Sequence, residues 1–244
     1  MLKKRIVPTI LLKGNRCVKG VNFTNFRDVG DPVTVARVYD AQKADELVFL
    51  DIEANSQRGT EEEQRNLLYD IIKETASECF MPLCVGGGIR TIEEIRKLFQ
   101  SGADKVSLNT TAVENPELVR EAARLFGSAN ILVSIDVKKT DKFEHEVFTH
   151  SGQKAAGLDA VEWAKKAEEL GAGELLITSI DREGTRSGYD LALIRKITSI
   201  VQIPVVASGG VGSLKDLEEG IVIGGASAVS LGSILHFTDQ NVIK

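Results

Sequence analysis

The sequence is poor in the groups that staple, ligate or span. It has three cysteines, Cys17, Cys79 and Cys84, in 244 residues. None stands in a Cys-x-x-Cys or Cys/His ligand spacing, so reduced thiols are expected and not a disulfide framework or a zinc site. The three histidines, His145, His150 and His236, have no metal-site spacing either. No metal and no cofactor are implied. Basic residues are not in excess: the net charge is −5, which argues against non-specific nucleic-acid binding. No apolar run approaches the ~18 residues needed to cross a bilayer. After Met1-Leu2-Lys3-Lys4-Arg5 the apolar stretch is too short for a signal peptide. The expectation is a cytoplasmic protein with no membrane partner. With five prolines and no Pro/Gly/Ser-rich linker, residues 1–244 read as one domain. A chain this long buries roughly 70–75% of its unfolded surface and needs no staples.

What is present is alternation. Short runs rich in Val, Ile and Leu occur at Arg5–Ile10, Glu46–Leu50, Pro82–Val85, Lys105–Leu108, Ile131–Ile135, Glu174–Thr178, Ile203–Ala207 and Ala228–Leu231. Weak polar alternation within them suits parallel strands covered on both faces. Helix starts lie between them. Asp31-Pro32 and Asn115-Pro116 each offer an N-cap followed by proline. Thr60…Glu63, Thr91…Glu94 and Asp159…Glu162 have a capping residue with Glu three places on. Asp190 and Ser213 offer two more caps, and Gly102, Gly127 and Gly171 suit helix ends. A last helix is expected near Asp239. Eight strand–helix units in this length predict an α/β fold, a (β/α)8 TIM barrel. A doubly wound sheet is the rival, but no strand-linked Gly-x-Gly-x-x-Gly opens the chain.

The chain also repeats itself. Pro82–Gly88 aligns with Pro204–Gly210 at an offset of 122, Gly102–Leu108 with Gly225–Leu231 at 123, and Ile10–Lys13 with Ile135–Lys138 at 125. Half the chain is 122 residues, so the barrel reads as two half-barrel repeats.

Barrel active sites lie at the C-terminal ends of the strands. Two glycine-rich turns fall there, Gly86-Gly87-Gly88 and Ser208-Gly209-Gly210. Each is followed in the next unit by a small or polar pair, Asn109-Thr110 and Gly232-Ser233. Glycine-exposed N–H groups beside a helix start bind anions, and two such sites suit a ligand with a phosphate at each end. Asp136, Asp51 and Asp181 are the acid–base candidates, because a walled-in carboxylate acquires a useful pKa. Asp136 is preferred; its repeat mate is Leu11. Lys13–Gly30 reads as a long loop holding Lys19, Asn22, Asn25, Arg27 and Asp28, and Lys19 is the candidate phosphate or electrophilic contact. Lys138–Gly157 reads as a β-hairpin insertion with solvated histidines. At the opposite face Arg5, Glu46, Lys105 and Glu174 begin four strands; two positive and two negative charges there either cap the barrel bottom or close into a ring across the barrel axis, which would serve as a gate.

Beyond these readings, Lys4–Pro8, Val18-Lys-Gly20, Asn22–Asp28, Gly30-Asp-Pro32, Asp45–Asp51, Val85–Ile89, Gly102–Ser107, Thr178–Arg182, Gly184-Thr185, Ser187–Asp190 and Ala207–Gly210 resemble the cyclase subunit family of imidazole glycerol phosphate synthase. The resemblance implies a lyase/cyclase subunit of a glutamine amidotransferase complex. A glutaminase subunit would dock at the bottom face and send ammonia through the gate of Arg5, Glu46, Lys105 and Glu174. The substrate would be a bisphosphate ribonucleotide. One phosphate would be held near Gly87, Gly88, Asn109 and Thr110, the other near Gly184, Ser208, Gly209, Gly210, Gly232 and Ser233. Lys19 would lie on a mobile loop, and Asp136 would be one of two catalytic aspartates.

One departure matters. The family has Cys-Leu-Asp-Val-Lys where this chain has Thr9-Ile10-Leu11-Leu12-Lys13. The second aspartate is therefore Leu11, which carries no proton. Glu183 also stands where an aspartate is usual, Asn55–Gln64 is longer than usual, and the C-terminal helix is shorter. The alternative is the paralogous branch that keeps barrel, gate and glutaminase but delivers ammonia for acetamidino-sugar formation in surface-polysaccharide biosynthesis.

Overall fold

The computed structural model describes residues 3–53 and 61–236. Strand β1 (Arg5–Lys13) runs into two antiparallel strands, β2 (Arg16–Val21) and β3 (Thr24–Gly30), and helix α1 (Pro32–Ala41) follows. Then come β4 (Leu47–Asp51) and α2 (Glu61–Glu78), β5 (Leu83–Gly86) and α3 (Ile92–Gln100), and β6 (Lys105–Leu108) with α4 (Thr110–Glu114) and α5 (Pro116–Phe126). β7 (Ile131–Lys138) carries the hairpin β8 (Glu146–Thr149) and β9 (Lys154–Asp159) before α6 (Ala160–Glu169). β10 (Glu174–Ser179), α7 (Leu191–Thr198), β11 (Val205–Ser208), α8 (Leu214–Val222), β12 (Ala228–Leu231) and α9 (Ser233–His236) complete the order.

Strands β1, β4, β5, β6, β7, β10, β11 and β12 pair in parallel in that order, and β12 closes on β1. The expected (β/α)8 TIM barrel is what forms. Among the described residues no helix is long and apolar enough to cross a membrane.

The caps explain where helices begin. Thr91 and Glu94 form a reciprocal capping box on α3, and Ser213 and Asp216 form one on α8. Asp31, Asp159 and Asp190 accept N–H bonds at their own helix starts. Asn115 does not: its side chain makes no capping bond, and Pro116 alone sets the start of α5. The Thr60 cap, the 54–60 part of the long segment and the helix expected near Asp239 lie outside the described residues.

Side chains on one strand face pack under the helices, where Phe49, Ile72, Ile95 and Leu98 are fully buried. Each contributes about 1.5–3 kcal/mol through lost apolar contact with water. The other strand face fills the barrel. Val7, Val48, Cys84, Leu132, Leu176, Val206 and Ala228 form a separate apolar layer across its axis, as barrel interiors require.

The hairpin expected in Lys138–Gly157 is present. The long loop expected over Lys13–Gly30 is not a loop. β1 continues to Lys13, and β2 and β3 extend the sheet by antiparallel pairing. Register shifts at Cys17/Val18 and Lys19/Val21 break the two-residue period that marks a strand in sequence.

Candidate functional site

A cavity of about 530 Å3 opens at the C-terminal ends of the strands. Asp136, Lys19, Asp51, Gly87, Gly88, Asn109, Thr110, Gly184, Ser208, Gly209, Gly210, Gly232 and Ser233 all line it, and so does Leu11. Asp181 does not; its carboxylate accepts the Lys139 N–H at 2.9 Å and fastens a neighbouring turn.

The two glycine turns are built alike. A side chain on Gly87 would collide with the Asp51 carbonyl, and one on Gly209 with the Ser179 carbonyl. Both glycines have positive φ, +106° and +90°, a conformation other residues avoid. Each turn runs into a capping box whose carboxylate accepts two successive backbone N–H groups. Glu94 serves Arg90 and Thr91 at 2.6 and 3.2 Å; Asp216 serves Gly212 and Ser213 at 2.9 and 2.8 Å. The half-chain repeat thus extends to the hydrogen bonds of the rim.

Asp136, near the end of β7, accepts the Asn109 side-chain amide at 2.8 Å. Burial drives its pKa up, the Asn109 bond partly opposes this, and the negative Glu183 adds to it; the result is about 7. A carboxyl so poised gives and takes a proton near neutral pH. Its repeat mate Leu11 faces the same space with no titratable group. Asp51 accepts the Glu53 N–H at 2.9 Å, a turn bond.

Lys19, the candidate contact on the expected loop, does not lie on a loop. It is buried on β2 and ion-paired with Glu183. Asn22 ties the same region down, its N–H donating to the Glu183 carbonyl at 2.8 Å. The solvated reading of the histidines also needs correction. His145 is buried, with Nε2 3.6 Å from Asp190. His150 is half-buried at the cavity edge, with its N–H donating to Thr110 Oγ1 at 3.0 Å.

Apart from Ser208, sequence reasoning missed the layer below the rim. Thr9, Ser107, Ser134, Thr178, Ser208 and Ser230 line the lower cavity. They occupy inward positions on their strands, one step above the apolar layer. Thr9 and Ser230 hydroxyls meet at 2.7 Å, while Ser107 and Ser233 hydroxyls are buried without a hydrogen-bond partner among the described residues. The signal was a hydroxyl recurring inside otherwise apolar strands. The three cysteines are buried free thiols; burial pushes Cys17 up to about 12 and Cys84 well above its usual value.

Beneath the apolar layer lies the charged ring. Arg5 bonds Glu46 at 2.5 Å and also bonds Glu174. Lys105 completes the circuit to Glu46 at 3.1 Å and Glu174 at 2.8 Å. The two carboxylates are almost wholly buried. Burial opposes the charge on Lys105, but Glu174 and Glu46 outweigh it and raise its pKa; Lys105 stays charged at neutral pH, and its contribution is lost only as pH rises through the lysine range. Lys105→Met leaves two buried carboxylates sharing one cation. It is expected to cost about 3 kcal/mol, read as a lower urea midpoint at pH 7. An unchanged midpoint would show that the ring adds nothing to stability.

From bottom to top the axis is therefore charge, apolar layer, hydroxyls, then a cavity with two glycine turns and one poised carboxyl. The family model described as histidine biosynthesis protein matches residues 5–241, and the chain belongs to that family of barrel enzymes.

Proposed function

We propose that this barrel is the ammonia-using subunit of a glutamine amidotransferase complex, a synthase/cyclase of the imidazole glycerol phosphate synthase type, acting on a bisphosphate substrate held between its two glycine turns. The observation that carries the proposal is the axial stack. A closed ring of Arg5, Glu46, Lys105 and Glu174 stands directly below a layer without a charged group, which opens on the cavity. A ring of four charges has little use under a substrate pocket unless something small passes it, since buried ion pairs are weak sources of stability. Ammonia is small and neutral enough for the apolar layer. Asp136 then supplies proton transfer in the cavity, and the turns at Gly87-Gly88 and Gly209-Gly210 hold the phosphates.

The bottom face supports a protein partner. Ile6, Phe80, Leu125, Ile200, Val222 and Ile223 are exposed apolar side chains at that end. Phe80 is 91% exposed, yet its backbone is fixed: Asp40 accepts N–H bonds from Phe80 and Met81 at 3.3 and 3.1 Å. A rigid exposed aromatic is the usual anchor of an interface. The partner of this reading is a glutaminase.

Leu11 favours a second reading. With one of two proton carriers missing, the barrel passes ammonia to another acceptor, as in acetamidino-sugar formation. The test is turnover of the bisphosphate ribonucleotide substrate, once with an ammonium salt and once with glutamine plus a co-expressed glutaminase. Phe80→Asp is expected to weaken glutaminase binding roughly 30-fold and depress only the glutamine-dependent rate. Equal loss with ammonium salt, or no loss at all, counts against docking at this face. Binding of glutaminase without turnover from either nitrogen source supports the second reading.

A further inference from the structure

Arg65, near the start of α2, does not line the cavity, yet it is bonded to the turn that does. Its guanidinium donates to the Gly87 carbonyl at 3.2 Å and to the Gly88 carbonyl. Its Nε lies 3.3 Å from Glu94, the carboxylate that caps α3 and takes the Arg90 and Thr91 N–H groups. The next carbonyl, Ile89, accepts from Thr111 Oγ1 at 2.5 Å. Three successive carbonyls of one turn are thus held by side chains from two different helices.

The planar trans peptide gives this consequence. The C=O and N–H of one peptide unit point in opposite directions. Holding the Gly87 and Gly88 carbonyls on Arg65 therefore directs the Gly88 and Ile89 N–H groups away from Arg65. Gly88 and Ile89 line the cavity. We infer that Arg65 is a positioning residue for anion binding: its two-pronged hold on Gly87 and Gly88, locked by Glu94, keeps the turn's N–H groups aimed at a phosphate that Arg65 itself does not touch. This rests on the reading of the Gly88 turn as one of two phosphate sites.

The other turn supplies the control. There the Gly210 carbonyl accepts a backbone N–H, from Gly188 at 2.8 Å, and Arg182 donates to the Ser187 and Gly188 carbonyls instead. The Gly210 end is independent of Arg65. A guanidinium is needed at the Gly88 end because a single ammonium cannot serve two carbonyls and a carboxylate in one plane.

The test is titration with inorganic phosphate, following the backbone amide signals of Gly88 and Gly210 by 15N NMR. In the unmodified protein both signals are expected to move. Arg65→Met is expected to weaken phosphate binding about tenfold at Gly88, given what a hydrogen bond to a charged group contributes, and to leave Gly210 unchanged. Arg65→Lys, which keeps the charge and loses the fork, is expected to restore only part of the Gly88 affinity. Unchanged affinity at Gly88 in Arg65→Met overturns the inference. So does full recovery in Arg65→Lys, which would make charge alone the cause, and so does equal weakening at both glycines, which would mean general loosening. Absence of any shift at either glycine in the unmodified protein removes the phosphate-site reading itself, and the role of Arg65 with it.

Discussion

Leu11→Asp is expected to raise the ammonium-dependent cyclase rate by about 10²-fold, the low end of what one positioned proton carrier contributes. Leu11 lines the cavity on β1 and aligns in the half-chain repeat with Asp136 on β7. A carboxylate at each of these positions gives the site two proton carriers on opposite walls. The substitution has a structural cost. Leu11 is buried and in register with Leu50 on β4 and Val18 on β2, so an aspartate there loses hydration among apolar neighbours. About 2 kcal/mol of stability is expected to go with it. Leu11→Asn separates the two effects, since it brings comparable polarity with no proton to exchange. The expected pattern is a lower Tm in both variants and a higher rate only in Leu11→Asp. A folded Leu11→Asp that binds phosphate but gains no rate would show that a missing proton carrier is not the limit, and would favour the reading in which ammonia leaves for another acceptor. High turnover in the unmodified protein would dispose of the argument altogether.

The barrel was legible because its signals are local. Strands such as Ile131–Lys138 are buried on both faces and read as apolar runs; caps such as Thr91–Glu94 act within four residues. The ring was legible for a different reason. Arg5, Glu46, Lys105 and Glu174 interrupt or border apolar strands at the same level, and an axis closed by parallel strands brings equal levels together. What escaped depends on distant partners. Lys19 looks like a loop lysine until Glu183, 164 residues away, pairs with it. His145 looks solvated until Asp190 at the start of α7 covers it. Arg65 bonds to backbone carbonyls, which have no sequence signature at all. The β2–β3 extension escaped because Asn22, Phe23 and Asn25 take positive φ and the register slips twice, so polar and apolar residues do not alternate.

Asp136→Asn is expected to pull activity and stability in opposite directions. Removing the proton carrier should lower turnover by 10²–10⁴-fold, on the order of a lost general acid or base. Stability moves the other way because the native carboxyl is held in a costly place. Its pKa is about 7 in the folded protein, raised chiefly by burial, against roughly 3.9 in an unfolded chain. Below pH ~4 both states hold the proton and the penalty is absent. Between pH ~4 and ~7 the unfolded chain releases its proton while the folded one keeps it, so stability falls as pH rises, and it levels off above the folded pKa. An asparagine side chain avoids this loss, and its carbonyl oxygen still accepts the Asn109 amide. Asp136→Asn is therefore expected to be more stable than the unmodified protein at pH 8, by about 2–4 kcal/mol, with the gap closing toward pH 4. Tm measured across that range gives the sign directly. A variant less stable at pH 8 would mean that the ionised carboxylate is well solvated, and then burial is not what tunes it. Retained turnover would mean that the proton travels by another group, and the cavity's one poised carboxyl would lose its role.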